Sequence, residues 1–113
     1  NSGLKILLAI EKDNAIGFLA FSEVFALASC QKSIFIQDLF VARKVRKSGA
    51  GRALMEALFK FAIDNEITQI DWTTDAWNSK AIGFYEHIVP SLKTEKILYR
   101  LNEERLNQII KKS

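Results

Sequence analysis

The stretch from Phe40 to Leu54 constrains this chain more than any other. It runs Phe40-Val41-Ala42-Arg43-Lys44-Val45-Arg46-Lys47-Ser48-Gly49-Ala50-Gly51-Arg52-Ala53-Leu54. An apolar strand end leads into a basic loop with two glycines, and the loop opens a helical pattern. That helix is expected from Ala50 to about Asn65, where Leu54, Leu58, Phe61 and Ala62 recur at helical spacing beside Met55 and Phe59. The first N–H groups of a helix lack internal partners, and the helix dipole makes that end positive. Arg43, Lys44, Arg46, Lys47 and Arg52 add positive charge with no acid among them, and the first acid of the helix is Glu56. Such an end is a ready phosphate site, and glycines let an anion approach the backbone closely. The plainer alternative is a turn shaped by glycine beneath a solvated basic surface. It leaves unexplained why like charges crowd here, and why two glycines sit where each costs up to ~1 kcal/mol against alanine within a helix.

The rest of the chain sets that loop in a sheet. Leu4–Ile10 reads as a first strand and Ile16–Ser29 as a long second one, bent near Ser22-Glu23. Ser33–Ala42 reads as a third, with Ile34, Ile36 and Asp38 on one side and Phe35, Gln37 and Leu39 on the other. After the helix, Ile67–Thr74 returns to strand character and Ser79–His87 reads as a short helix capped by Ser79 or Asn78. Lys96–Leu101 is expected as a last strand and Glu103–Lys112 as a polar terminal helix. An antiparallel start followed by a β-α-β crossover implies a mixed sheet with helices on its faces.

At 113 residues the chain has room for one core. With 49% hydrophobic residues it is too apolar for disorder. Its apolar runs fall far short of the roughly 20 residues of a membrane-spanning helix. The single cysteine, Cys30, forms no internal disulfide, which points to a reducing compartment such as the cytoplasm.

The loop does not fit a Walker phosphate loop, which needs four residues between its glycines and then Lys-Ser/Thr. A dinucleotide fingerprint fits its first two glycines, with Asp71 about the right distance downstream, but Leu54 stands at the third. Arg46-Lys47-Ser48-Gly49-Ala50-Gly51 does match the Arg/Gln-x-x-Gly-x-Gly/Ala pyrophosphate motif of the GNAT superfamily of N-acetyltransferases. Asn78-Ser79-Lys80-Ala81-Ile82-Gly83-Phe84-Tyr85 resembles that superfamily's Asn-x-x-Ala-x-x-Phe-Tyr segment. Among its branches the chain looks most like the diamine, or spermidine/spermine-type, acetyltransferases. That likeness rests on Asp38-Leu39-Phe40-Val41, Ala76-Trp77-Asn78 and Tyr99-Arg100-Leu101-Asn102-Glu103-Glu104-Arg105-Leu106. Gln37 departs from it, standing where those enzymes usually carry Glu, and His87-Ile88-Val89-Pro90 replaces their usual glycine.

The resemblance implies an α/β (α+β) fold with a mixed, mostly antiparallel sheet, splayed central strands and flanking helices. It implies one acetyl-CoA-binding domain over residues 1–113, without the first strand and the one or two helices that members generally carry ahead of the Leu4 segment. By the same resemblance Leu39, Phe40 and Val41 offer backbone groups to the pantetheine arm. Arg46, Lys47, Ser48, Gly49, Ala50, Gly51 and Arg52 hold the pyrophosphate, and Asn78 meets the pantetheine region. Gln37 and Asp38 border the amine substrate. A strand N–H such as that of Phe40 stabilises the oxyanion, and Tyr85 is the general acid for the departing thiolate, being protonated at neutral pH. No general base is assigned: Asp38 and Asp75 are candidates, and His87 reads as a helix-end histidine.

The activity so implied is acetyl transfer to a small polyamine-like or lysine-like amine, in a homodimer, with no metal, nucleic acid or membrane. Acetylation of a protein N-terminus or lysine, a non-catalytic acetyl-CoA-binding module, and nucleic-acid binding through Arg43–Arg52 are the alternatives. The last lacks a recognition helix or aromatic stacking platform.

Overall fold

The structure, a computed structural model, describes residues 3–26, 30–46, 48–89 and 94–112. Its elements are β1 (Lys5–Glu11), β2 (Asn14–Ala26), β3 (Gln31–Val41), α1 (Ala50–Asp64), β4 (Gln69–Asp71), α2 (Ser79–Ile88) and α3 (Glu103–Lys112), with a 3-10 turn at Arg43–Val45. The four strands lie in sequence order, β1 to β3 antiparallel and β4 parallel to β3. The mixed, mostly antiparallel sheet expected from the sequence is therefore present.

Local chemistry explains the first hairpin. Lys12 and Asp13 have φ of 49° and 65° between the paired residues Glu11 and Asn14. Two positive φ values in a two-residue loop match the right-handed twist of the flanking strands. β2 starts at Asn14, two positions before the expected Ile16, because this tight turn lets pairing begin at once. Residues 27–29 of the expected second strand lie outside the described residues.

α1 lies across one face of the sheet. Its Leu54, Met55, Leu58 and Ala62 meet Leu19 and Phe21 of β2 and Ile34 and Ile36 of β3, and Ile67 closes the cluster. Leu19, Ile34 and Leu58 have no exposed surface, and burying side chains of this kind contributes roughly 1.5–3 kcal/mol each. The opposite face of β1 is open, with Leu4, Ile6, Leu8 and Ile10 each more than half exposed.

β3 does not alternate as expected. Leu19 pairs with Leu39 and Ala20 with Asp38, but Phe21 pairs with Ile36, so Gln37 is an extra residue on β3. The bulge advances the side-chain alternation by one. Leu39 and Val41 thereby join Ile34 and Ile36 on the α1 side, and Asp38 passes to the other face. The Asp38 and Leu39 sides read from simple alternation are thus reversed.

Two other expectations change. The strand predicted over Ile67–Thr74 is only Gln69–Asp71, because Ile67 is drawn into the core beneath α1 and the chain leaves β3 after Asp71. The strand predicted over Lys96–Leu101 is absent: residues 94–102 have no regular structure and no ladder partner among the described residues. α1, α2 and α3 fall within a residue or so of their expected limits.

Candidate active site

The α1 amino end is built for an anion. Gly49 has φ of 90° and ψ of 6°, a left-handed conformation that L side chains rarely adopt, with nothing within 4 Å of where a Cβ would stand. The first intrahelical bond runs from the Ala53 N–H to the Gly49 carbonyl at 2.9 Å, so the N–H groups of Ala50, Gly51 and Arg52 precede the ladder. No side chain caps this end, and its first turn holds no acid. Upstream, the Arg46 Nε donates to the Val41 carbonyl at 3.1 Å and pins the loop to the end of β3. Arg43, Lys44 and Arg46 share a cleft of about 620 Å³ with Lys80 from α2. Ser48 and Arg52 are exposed, and Lys47 lies outside the described residues.

The two glycines serve different ends. Gly51 is buried, and a Cβ there would stand 3.0 Å from the Phe84 ring and 3.7 Å from a Val41 methyl. Its missing side chain seats α2 on the first turn of α1, whereas Gly49 supplies the backbone turn. The expectation that both glycines open the backbone to an anion holds geometrically only for Gly49.

Beyond Phe35 and Asp71 the ladder between β3 and β4 stops, while β3 runs on to Val41. The strands splay, and a crevice of about 490 Å³ opens between them. Ile36, Gln37, Asp38 and Leu39 form one wall. Trp72, Thr73, Thr74 and Asp75 form the other, and Asn78 and Tyr85 of the α2 region close the end. The side-chain oxygen of Asn78 accepts from the Ala81 N–H at 3.1 Å, capping α2 and leaving its amide N–H groups for the crevice. Gln37 turns its amide toward the Ser22 hydroxyl at 3.4 Å.

The parity of β3 decides which backbone groups face this crevice. The Ala42 N–H donates to the Ile16 carbonyl at 2.8 Å, and that pair sets the ladder. In an antiparallel pair, bonded and non-bonded positions alternate. Phe40, opposite Phe18, therefore bonds to β2, whereas the N–H and C=O groups of Leu39 and Val41 point away from β2, those of Leu39 on the crevice side and the Val41 carbonyl accepting from Arg46. The Phe40 N–H expected to meet an oxyanion is thus committed to β2, and Leu39 is the donor that faces the gap. Phe40 is instead a packing residue, its ring 5.8 Å from that of Phe18.

Tyr85 is half-buried, with its ring 5.3 Å from Trp72 and 5.3 Å from Phe84. Burial first, and the Asp38 carboxylate second, push its phenol above its ordinary pKa of 10.0. Of the residues the sequence suggested, Asp38, Leu39, Asn78 and Tyr85 line the crevice, Arg46 lines the cationic cleft, and Gly49 and Val41 line neither. Motif reading missed Lys80 and Arg100. Lys80 had a signal: it sits in a helix first turn without an acid, against the dipole. Arg100 lines the crevice from the irregular segment 94–102 and had none.

A cation-ringed helix end beside a splayed parallel strand pair defines an acyl-CoA-type site. The chain belongs to the acetyltransferase (GNAT) family, whose family model matches residues 1–88 and whose members use acetyl-CoA. An L-ornithine N5-acetyltransferase of Arabidopsis thaliana is 30% identical over 95 residues, which span 84% of this chain and 42% of that protein. A D-amino-acid N-acetyltransferase of Saccharomyces cerevisiae is 29% identical over 92 residues, spanning 81% of this chain and 56% of that protein. The chain thus spans about half the length of these curated relatives. The solved structure of an integron cassette protein from the mobile metagenome of V. cholerae superposes with a TM-score of 0.87 and 34% identity, covering 96% of this chain and 67% of that one. Among the described residues no acidic, histidine or cysteine cluster suits a metal ion, and no helix is long and apolar enough to cross a membrane.

Proposed function

We propose that this chain is the acetyl-CoA-binding and catalytic core of an N-acetyltransferase acting on the primary amine of a small polyamine-like or lysine-like molecule. The observation that carries the reading is one continuous arrangement. An uncapped, cation-ringed helix end is joined by the free edge of β3 to a protonated tyrosine.

Acetyl-CoA supplies an acetyl thioester whose leaving group is a thiolate. The N–H groups of Ala50 to Arg52, turned by Gly49, hold the pyrophosphate, and Lys80 joins Arg43, Lys44 and Arg46 in neutralising phosphate charge. Val41 and Asn78 pair with the amides of the pantetheine arm. Leu39 donates its N–H to the acetyl oxygen as negative charge develops there. Asp38 draws the acceptor amine to the crevice, where it attacks as the free base.

Magnitudes decide how Tyr85 helps. An ordinary thiol, with a pKa of about 8.5, is a stronger acid than an ordinary phenol, and burial and Asp38 weaken the Tyr85 phenol further. Tyr85 therefore stabilises the thiolate through a hydrogen bond as the C–S bond opens. Its proton passes to sulfur late and is restored by the proton that the nitrogen sheds.

The acceptors for which the relatives are named, ornithine at N5 and D-amino acids, support a small amine. The open apolar face of β1 supports the homodimer. Release of CoA thiol tests the activity: small primary amines should stimulate it, and Tyr85→Phe should lower kcat by about 100-fold or more. Amine-stimulated release that is unchanged in Tyr85→Phe would remove the acid role.

A further inference from the structure

Apart from the phosphate cleft, the charged groups of the site are unevenly matched. The crevice is lined by two carboxylates, Asp38 and Asp75, and by one guanidinium, Arg100. None of the cations of the phosphate cleft lines it. Among the described residues no salt bridge joins Arg100 to Asp38 or Asp75; the ion pairs of Lys5 with Glu23 at 3.6 Å and Lys60 with Asp64 at 3.5 Å lie elsewhere. Arg100 reaches the crevice with Leu98 from residues 94–102, which pair with no strand among the described residues.

Charge arithmetic separates two kinds of acceptor. A diamine brings only positive charge, which the carboxylates attract but Arg100 repels. A diamino acid brings the same amine together with an α-carboxylate and an α-ammonium group, and each finds an opposite charge in the lining. Guanidinium is the side chain whose planar fork matches a carboxylate with two parallel hydrogen bonds. Asp38, the carboxylate whose field reaches Tyr85, then lies toward the reacting amine.

We propose that Arg100 anchors the α-carboxylate of the acceptor, and that the acceptor is a zwitterionic diamino acid rather than a diamine. Asp75 takes the α-ammonium group, and the side-chain amine is presented to the acetyl group beside Asp38 and Tyr85. This inference rests on the acetyltransferase reading and narrows its substrate class.

The test is equilibrium binding by calorimetry to the chain saturated with CoA, whose free thiol keeps the complex unreactive. The two probes are L-ornithine and 1,4-diaminobutane, which differ only in the α-carboxylate. L-Ornithine should bind at least about tenfold more tightly, since a charge-assisted pair contributes about that much or more. Arg100→Ala should remove this advantage, leave 1,4-diaminobutane binding as tight or tighter and CoA affinity unchanged, and Arg100→Lys should restore part of the advantage. Arg100 is exposed, so these variants spare the core, and circular dichroism checks their fold. Equal or tighter binding of the diamine, binding of neither probe, or weaker CoA binding in Arg100→Ala would overturn this inference alone. A folded chain that binds no CoA would overturn it together with the acetyltransferase reading.

Discussion

Tyr85 carries the site's pH behaviour. Its phenol is raised above 10.0 by burial and by Asp38, so the folded chain keeps this proton at a pH where the unfolded chain has lost it. Stability is unaffected by this group at neutral pH and falls as pH rises past 10, and Tyr85→Phe should reduce that alkaline loss in urea melts recorded from pH 8 to 11. Turnover follows a different group on the acid side. An amine attacks only as the free base, so kcat/KM should rise with pH, and Tyr85 should impose no downturn below pH 10. The two glycines of the loop separate cleanly as well. Gly49→Ala forces an L residue to φ of 90° without any clash, which should cost about 1–2 kcal/mol in thermal or urea unfolding. Gly51→Ala presses on Phe84 at 3.0 Å, next to Tyr85. It should lower kcat more than acetyl-CoA affinity.

At the scale of elements, the helices could be read from the sequence and the strand details could not. Leu54, Leu58 and Ala62 announce α1 because a helix is a local object with its own period. The bulge at Gln37 belongs to the pair β2–β3, so apolar alternation along β3 alone put Asp38 and Leu39 on the wrong sides. The same holds for the site. Gly49, Asn78 and Tyr85 stand at motif positions with a stated role, whereas Lys80 and Arg100 stand within quoted segments but reach the two clefts only through packing. Gly17 shows how tightly β2 serves β3: a Cβ there would stand 2.8 Å from the Phe40 carbonyl and 3.4 Å from Leu54. Gly17→Ala should therefore destabilise the chain by about 1–3 kcal/mol in urea and weaken acetyl-CoA binding by shifting the free edge of β3. Leu58→Ala leaves that edge in place. It should lose about 2–5 kcal/mol of stability while the folded fraction binds acetyl-CoA normally.

The whole molecule is elongated, with a radius of gyration of 16.9 Å and extents of 57 × 33 × 29 Å. A compact chain of this length has a radius nearer ~13 Å. Residues 94–111 are exposed throughout, and α3 presents Leu106, Ile109 and Ile110 on its surface. With the open face of β1, this leaves more apolar surface outside the core than a monomer usually keeps. Sedimentation velocity should accordingly show a species of twice the 12.8 kDa protomer at micromolar concentration. Calorimetric titration of the chain with acetyl-CoA probes the anion site and the strand edge together. Micromolar binding that Gly49→Glu abolishes is expected, since that side chain puts bulk and negative charge where the pyrophosphate is held. A folded chain that binds no acetyl-CoA, or one whose binding survives Gly49→Glu, would contradict the acetyltransferase reading.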